Sequence, residues 1–347
     1  MKIVVLAGGT STERDVSLVS GAGVYRALKK KGHEVVLLDV YLGLDLTEEE
    51  CRSIFSSERD FAEGIRPIGE QRTTLEQVFA ARKDPEQGFF GPHVLEICRM
   101  ADIVFLALHG MNGEDGKIQA AFDLMGIKYT GTDYVSSAMA MDKAITKDLF
   151  EKSGVLTPWG VGMKKGDPLP KDIPYPCIVK TSHGGSSVGV YRVDAATQMD
   201  KALAEAFAIE DEVVIEQFIE GHEFTDLVID GEAYPIVMIT PKIGAYDYKN
   251  KYQAGSTEEI CPAPISGELE QKIKESAVAA YRALRLKVYA RMDFIVDSKD
   301  QVYCLEANTL PGMTPTSLIP QEAAAAGIDY EALCEMLIRI SLNKYED

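Results

Sequence analysis

The six cysteines of this 347-residue sequence, at positions 51, 98, 177, 261, 304 and 334, contain no CxxC pair. That excludes a zinc knuckle and a thioredoxin-like redox motif. Thiols scattered in this way read as buried and free, in a reducing compartment. No apolar run approaches the ~20 residues of a membrane-spanning helix. The N-terminal run Ile3 to Ala7 stops at Gly8-Gly9, too short for a secretory core. The expectation is therefore a cytoplasmic protein with no membrane partner. Basic residues are scarce: 36 Lys and Arg face 54 Asp and Glu, a formal net charge of -18. Most of the surface would repel a polyphosphate backbone, which disfavours general nucleic-acid binding. Internal repeats and low-complexity tracts are absent as well. The composition that remains, 26% charged and 46% hydrophobic, is that of a globular protein. At about 100–200 residues per domain the length predicts two or three domains.

Residues 2 to 7 form an apolar run. Val16, Val19, Ala22 and Leu28 then recur at helical spacing before the strand-like Glu34 to Asp39, a βαβ pattern. A second strand, Asp102 to Leu108, runs into the Gly-rich loop His109 to Gly116 and a helix ending near Gly126. The first ~130 residues read as a small parallel α/β domain. Residues 42–97 are acidic and weakly periodic, and read as an insertion within it. A single lysine-bearing helix is expected from Ser136 to Gly154. It is followed by a β-hairpin built from Pro176 to Lys180 and Val188 to Val193, a helix from about Ala195 to Ile209, and a strand from Val213 to Phe218. The rest alternates strands at 224–239, a helix from Gly267 to Leu286, strands at 288–296 and 301–307, and a C-terminal helix.

The sharpest chemical signal is Arg291-Met292-Asp293 on one strand and Glu306-Ala307-Asn308 on the next. Side chains two apart on a strand share a face. In register, Arg291, Asp293, Glu306 and Asn308 converge on one surface, and two carboxylates with an amide oxygen suit a hard cation such as Mg2+. Alone, this is as well read as a solvated strand face. The Gly/Pro loop Thr309 to Ser317 that follows offers backbone amides for an oxyanion, and the two together are more specific than either. Lys180 before Gly184-Gly185-Ser186-Ser187-Val188-Gly189 pairs a charge with a low-bulk loop that phosphates can approach, although a plain hairpin turn has the same composition. It is not a Walker A sequence, and Gly8-Gly9-Thr10 is not the dinucleotide fingerprint. Glu13 is either a dipole-favoured helix start or a carboxylate for a substrate ammonium. His109 is either a satisfied loop histidine or a substrate contact. The lysines around Lys143 and Lys147 ordinarily mark a solvated helix face.

Taken together, these stretches resemble the D-alanine:D-alanine ligase family of the ATP-grasp superfamily over nearly the whole chain. The matching segments are Gly8 to Arg14, Leu108-His109-Gly110 with Gly113 to Gly116, Met141-Asp142-Lys143, Lys180 with Gly185 to Gly189, Tyr246-Asp247-Tyr248 with Lys251-Tyr252, Arg291 with Asp293, and Glu306 to Thr314. The resemblance implies an N-terminal parallel α/β domain (1–131, with the insertion), then a two-domain ATP-grasp fold of α+β type (132–216 and 217–347), with ATP held between the last two.

It further implies that Asp293, Glu306 and Asn308 hold two Mg2+ or Mn2+ ions on the ATP phosphates. Lys143, Lys180 and Lys251 would contact those phosphates, and Glu216, Phe218, Ile219 and Glu223 would line the adenine and ribose pocket. Glu13 would anchor the first D-alanine, with Ser186 and Tyr252 positioning the reactants. Arg291 and the Gly312 amide would form the oxyanion site, and Ser317 and Leu318 would hold the second substrate. His109 is a further substrate-contact candidate. The reaction implied is ligation of two D-alanines through an acyl phosphate, yielding ADP, phosphate and a peptidoglycan precursor, by a cytoplasmic homodimer. Alternatives are D-serine or D-lactate as second substrate, or a non-catalytic ATP-binding regulator. Tyr252 favours the dipeptide over the lactate product. Departures from the family are the long 42–97 segment, Thr181 in place of a common proline, and His183-Gly184 at a variable pair.

Overall fold

The computed structural model describes residues 1–66, 73–84, 88–185, 189–242 and 256–346; Ser186, Lys251 and Tyr252 lie outside them. The chain separates into two compact units, Met1–Tyr134 with Lys287–Tyr289 and Thr309–Asp347, and Val135–Leu286 with Ala290–Asn308. The first unit opens with β1 (Lys2–Ala7), α1 (Arg14–Lys30), β2 (Glu34–Asp39), α2 (Glu48–Arg52), α3 (Leu75–Ala81), α4 (Val94–Met100), β3 (Ile103–Leu106) and α5 (Lys117–Met125). Next come α6 (Tyr134–Met141), α7 (Lys143–Lys152), β4 (Gly160–Lys164), β5 (Cys177–Thr181), β6 (Val190–Val193), α8 (Met199–Ala206) and β7 (Glu212–Gln217). The second unit continues with β8 (Gly221–Ile229), β9 (Glu232–Ala233), β10 (Val237–Pro241), β11 (Thr257–Ile260), α9 (Gly267–Ala283), β12 (Tyr289–Asp297) and β13 (Val302–Asn308). The chain ends in the first unit with α10 (Leu318–Ala325) and α11 (Tyr330–Asn343).

In the first unit β1 lies between β2 and β3, parallel to both, with Ile3 opposite Val35 and Ile103. Ile3 to Ala7 are fully buried, as expected of a parallel strand covered on both faces. Helix α1 buries Val16, Ser17, Ser20, Val24 and Leu28, a stripe at three- and four-residue spacing. The 42–97 segment is more than surface, because Cys51, Ile54, Val78, Val94 and Ile97 are all buried. Its helices run only five to seven residues, so each contributes one to three buried positions and no legible period. Two of them start with capping boxes, Thr47 with Glu50 and Thr74 with Gln77.

The second unit contains two antiparallel sheets among the described residues. One has the order β4-β7-β5-β6, and the other β11-β10-β8-β12-β13 with β9 paired to β8. The expected hairpin forms β5 and β6, with Cys177 opposite Val193 and Lys180 opposite Val190. The single helix expected from Ser136 to Gly154 is instead two, α6 and α7. Asp142 breaks it: its carboxylate accepts hydrogen bonds from the Ala144 and Ile145 amides at 3.0 Å each and starts α7 afresh. Helix α9 buries Leu269, Ile273, Ala277 and Ala280 in a core with Phe224, Met292 and Phe294. Burial of a side chain such as Ile273 contributes about 1.5–3 kcal/mol, which anchors the strands that carry the polar cluster. A parallel first sheet followed by antiparallel ones matches the expected α/β and α+β sequence of architectures.

Candidate active site

Strands β12 and β13 pair with Arg291 opposite Asn308 and Asp293 opposite Glu306, after which the register shifts so that Phe294 faces Cys304. Leu305 is thus an extra, unpaired residue, a β-bulge. Its effect follows from the two-residue period of a strand. In an unbroken β13, Glu306 would share the core face with Cys304; the bulge turns Glu306 and Asn308 onto the face of Arg291 and Asp293. Ala290, Met292, Phe294 and Cys304 stay buried beneath. On the polar face, Arg291 Nε and Nη2 donate to the two Asp293 oxygens at 2.7 and 2.8 Å, a bidentate pair. Asn308 Nδ2 donates to Asp293 Oδ2 at 3.0 Å and the Thr225 hydroxyl to Oδ1 at 2.9 Å. The Asn308 amide nitrogen is thus committed to Asp293, and its oxygen is of the type a hard cation takes.

Beside this hairpin the lysines expected on a solvated helix are drawn inward, Lys147 buried and Lys143 nearly so. Lys143 Nζ stands 3.8 Å from Glu306 Oε2 and donates to the Gly184 carbonyl at 2.5 Å. Lys147, 4% exposed, donates to the Thr157 hydroxyl at 3.1 Å and the Pro158 carbonyl at 2.8 Å. Lys180 Nζ lies 2.6 Å from Glu216 Oε1, and Lys147 Nζ 2.8 Å from Glu216 Oε2, though out of line for a hydrogen bond to that oxygen. Gly160 makes the second approach possible, since a Cβ there would fall 2.3 Å from the Lys147 Cε. Burial pushes the Lys147 amine down, against the pull of Glu216, and pushes Lys143 down against Glu306. Burial alone would raise the Glu216 carboxyl, but Lys180 and Lys147 outweigh it and hold it below the ordinary carboxylate range. Two buried cations, Lys147 and Lys180, and the partly exposed Lys143 thus share the buried Glu216 carboxylate and the half-buried Glu306, a positive excess suited to a polyanion.

Glu216 carries a structural charge here, its carboxylate taken up by two lysines. The rest of its segment runs on from β7: the Phe218 ring lies 4.2 Å from the Arg192 guanidinium, Ile219 is buried, and Glu223 stands opposite Ile239 on β8.

The first unit brings together the loop after β3 and the loop 309–317. His109 Nδ1 lies 2.7 Å from the Leu310 carbonyl, which can only accept, so the proton sits on Nδ1. Nε2 then accepts from the Ser20 hydroxyl at 3.1 Å, and Ser20 accepts the Met313 amide at 3.2 Å. Glu114 spans the same two loops, accepting the Gly110 amide at 2.8 Å and the Leu310 amide at 2.9 Å. Tyr330 donates its hydroxyl to the Met313 carbonyl at 2.5 Å. Ser317 turns back into the loop, accepting the Thr314 amide at 3.0 Å, and a Cβ at Gly312 would fall 2.8 Å from its Oγ. Leu318 is buried at the start of α10. Glu13 occupies the N-cap position of α1 without capping it; its Oε2 instead runs along Gly110, 2.9 Å from where a Cβ would stand.

The sequence from 2 to 132 matches the family model described as D-ala D-ala ligase N-terminus, and that from 164 to 339 the one described as D-ala D-ala ligase C-terminus. The chain belongs to the D-alanine–D-alanine ligase family. Among curated members, that of Pediococcus pentosaceus is 40% identical over 100% of this chain and 99% of its own length. That of Lacticaseibacillus casei is 39% identical over 100% and 97%. Among solved structures, the Bacillus anthracis D-alanine–D-alanine ligase complexed with ATP superposes with a TM-score of 0.75 at 31% identity, each chain covered completely.

Ser20, Glu114 and Lys147 escaped the sequence reading. Ser20 is an ordinary helix residue by pattern, Glu114 lay inside a quoted motif without a role, and Lys147 looked like a surface lysine. Only the tertiary contacts single them out.

Proposed function

We propose that the chain joins two molecules of D-alanine at the expense of ATP, giving D-alanyl-D-alanine, ADP and phosphate for peptidoglycan precursor synthesis. The observation that carries this reading is the bulged β12–β13 register, which sets two carboxylates and an amide on one face beside buried lysines. Its three-domain division is 1–131, 132–216 and 217–347, and it acts as a cytoplasmic homodimer. No helix among the described residues is long and apolar enough to cross a membrane.

The donor set fits Mg2+ or Mn2+: Asp293, Glu306 and Asn308 supply hard oxygens, and Asp293 is already oriented by Arg291 and Thr225. When bound, the ions neutralise phosphate charge during γ-phosphoryl transfer. Lys143, Lys180 and Lys251 bind the phosphates. Phe218, Ile219 and Glu223 line the adenine and ribose side, and Glu216 supports it by holding Lys180 and Lys147 in place. Phosphoryl transfer to the first carboxylate gives an acyl phosphate, which the second amine attacks. Glu13 holds the first ammonium, Ser186 and Tyr252 position the reactants, and Ser317 and Leu318 receive the second substrate. Arg291 and the Gly312 amide stabilise the oxyanion of the tetrahedral intermediate. His109, with both ring nitrogens engaged inside the protein, acts on this loop and through it on the substrate.

Mass spectrometry of products from D-alanine, ATP and Mg2+, with D-serine and D-lactate as competing acceptors, tests the reading. D-alanyl-D-alanine with ADP, lost in Arg291→Ala, is the expected outcome. A predominantly mixed product overturns the acceptor assignment, and the absence of any product overturns the ligase reading.

A further inference from the structure

His183 stands between two carboxylates. Its Nε2 is 3.2 Å from Asp142 Oδ2, its Nδ1 is hydrogen-bonded to Glu210 Oε1, and its backbone N–H is directed at both Glu210 oxygens at 3.2 and 3.1 Å. A neutral imidazole has one N–H to give; two carboxylate partners require two, so the ring is an imidazolium. The hydrogen bonds to Asp142 and Glu210, the charged groups that face it, outweigh burial and push its pKa up to about 10. Burial would raise Asp142 in turn, but the bonds from His183, the Ile145 amide and Ser182 pull it down to about 2.

The same Asp142 caps α7, the helix that begins with Lys143. Ser182 Oγ lies 3.3 Å from Asp142 Oδ1, the Lys143 amide donates to the Ser182 carbonyl at 3.1 Å, and Lys143 Nζ reaches the Gly184 carbonyl. Residues 182–184, the stem of the Gly-rich loop, are thus fastened to the start of α7 by a ring of contacts. His183 supplies the cation without which Asp142 and Glu210 would face one space as two unscreened anions.

We propose that His183, clamped as a cation between Asp142 and Glu210, is a positioning residue for the nucleotide: it fixes the stem of the Gly-rich loop against α7 and so places Lys143 for a triphosphate. The inference rests on the assignment of Lys143 to ATP. Below the ordinary histidine pKa of 6.5 the clamp is fully charged, and it opens only as pH rises through about 10.

Two measurements on the full chain test it. In steady-state kinetics with ATP, Mg2+ and D-alanine, His183→Gln is expected to raise KM for ATP about tenfold while KM for D-alanine stays within about twofold. His183→Arg, a permanent cation able to reach two carboxylates, should restore most of the loss. By NMR of the 15N-histidine-labelled protein, both His183 ring nitrogens should remain protonated from roughly pH 6 to 8.5. A ring that titrates near its ordinary value, or a His183→Gln enzyme with unchanged KM for ATP, overturns the proposal. Lys143→Met separates the two layers. If it raises KM for ATP while His183→Gln does not, the clamp alone fails; if neither does, the assignment of Lys143 fails and the clamp with it.

Discussion

In the second unit the polar side chains around the β12–β13 hairpin are charged and largely buried, with Lys143, Lys147 and Lys180 set against Glu216 and Glu306. In the first unit the 309–317 loop is held by backbone amides and carbonyls meeting His109, Ser20, Ser317, Tyr330 and the Glu114 carboxylate. On the proposed function, the contrast follows from what each would bind. A triphosphate brings negative charge, so its site stores an excess of cation in a dry place and accepts the desolvation that this costs. Amino-acid carboxylates and an oxyanion need donors held at fixed points, which a tightly bonded loop provides without net charge. Substitutions in the second unit should therefore act through charge, and those in the first through geometry.

The largest effect is expected from Glu306→Gln. It keeps the shape of the side chain and removes a charge from the proposed cation-binding face, so kcat/KM should fall on the order of 10³-fold, the equivalent of ~4 kcal/mol. ADP release assayed with D-alanine measures this. Activity within about tenfold of wild type would break the charge account of this unit.

Next is Glu216→Gln, which leaves Lys147 and Lys180 buried without their carboxylate. Removing one member of a buried pair costs about 3–5 kcal/mol, read as a shift of the urea unfolding midpoint. Saturating ATP should recover part of the loss, because ligand bound only to the folded state adds stability and supplies the missing negative charge. A variant equally stable to within about 1 kcal/mol would show that the lysines are hydrated rather than stranded.

The first-unit counterpart is His109→Phe, which removes the donor to Leu310 and the acceptor for Ser20. Unsatisfied buried groups cost about 1–3 kcal/mol. Displacement of the loop should lower kcat by about 10- to 100-fold and leave KM for ATP unchanged. A rise in KM for ATP with kcat intact would show that the two units do not divide the work as their chemistry suggests.

Legibility in the sequence divides along a related line. Elements with a long period, such as α1 and α9, and runs such as β1 and β2 could be read directly, because burial of one face or of a whole strand writes itself into the order of residues. The Arg291, Asp293, Glu306 and Asn308 constellation was legible too, but only on the assumption of a register, and the register that serves it depends on the Leu305 bulge, which no local pattern announces. The break between α6 and α7 was written as Asp142, a cap residue hidden inside a helical period. The burial of Lys147 was illegible, since a buried lysine and a solvated one look alike until their partners on other elements are in place. Short helices within 42–97 bury Cys51, Val78 and Val94 with too few turns to show a period.

The smallest effect is also the most selective for the buried charge. The Glu216 carboxyl is held below its ordinary value by Lys180 and Lys147, so its contribution to folding is fully present above the unfolded pKa and is lost as pH falls through the folded one. Glu216→Gln cannot titrate there. The stability gap between wild type and variant should therefore be constant from neutral pH down to about 4.5 and narrow below it, as wild-type Glu216 takes up the proton that makes it resemble glutamine. Urea unfolding of both proteins across this range measures the gap directly, and every other acidic group cancels in the difference. A gap that stays constant into acid would place the carboxyl's energetic role outside its charge. A gap that already narrows above the ordinary carboxylate range would mean that burial, not the two lysines, sets its protonation.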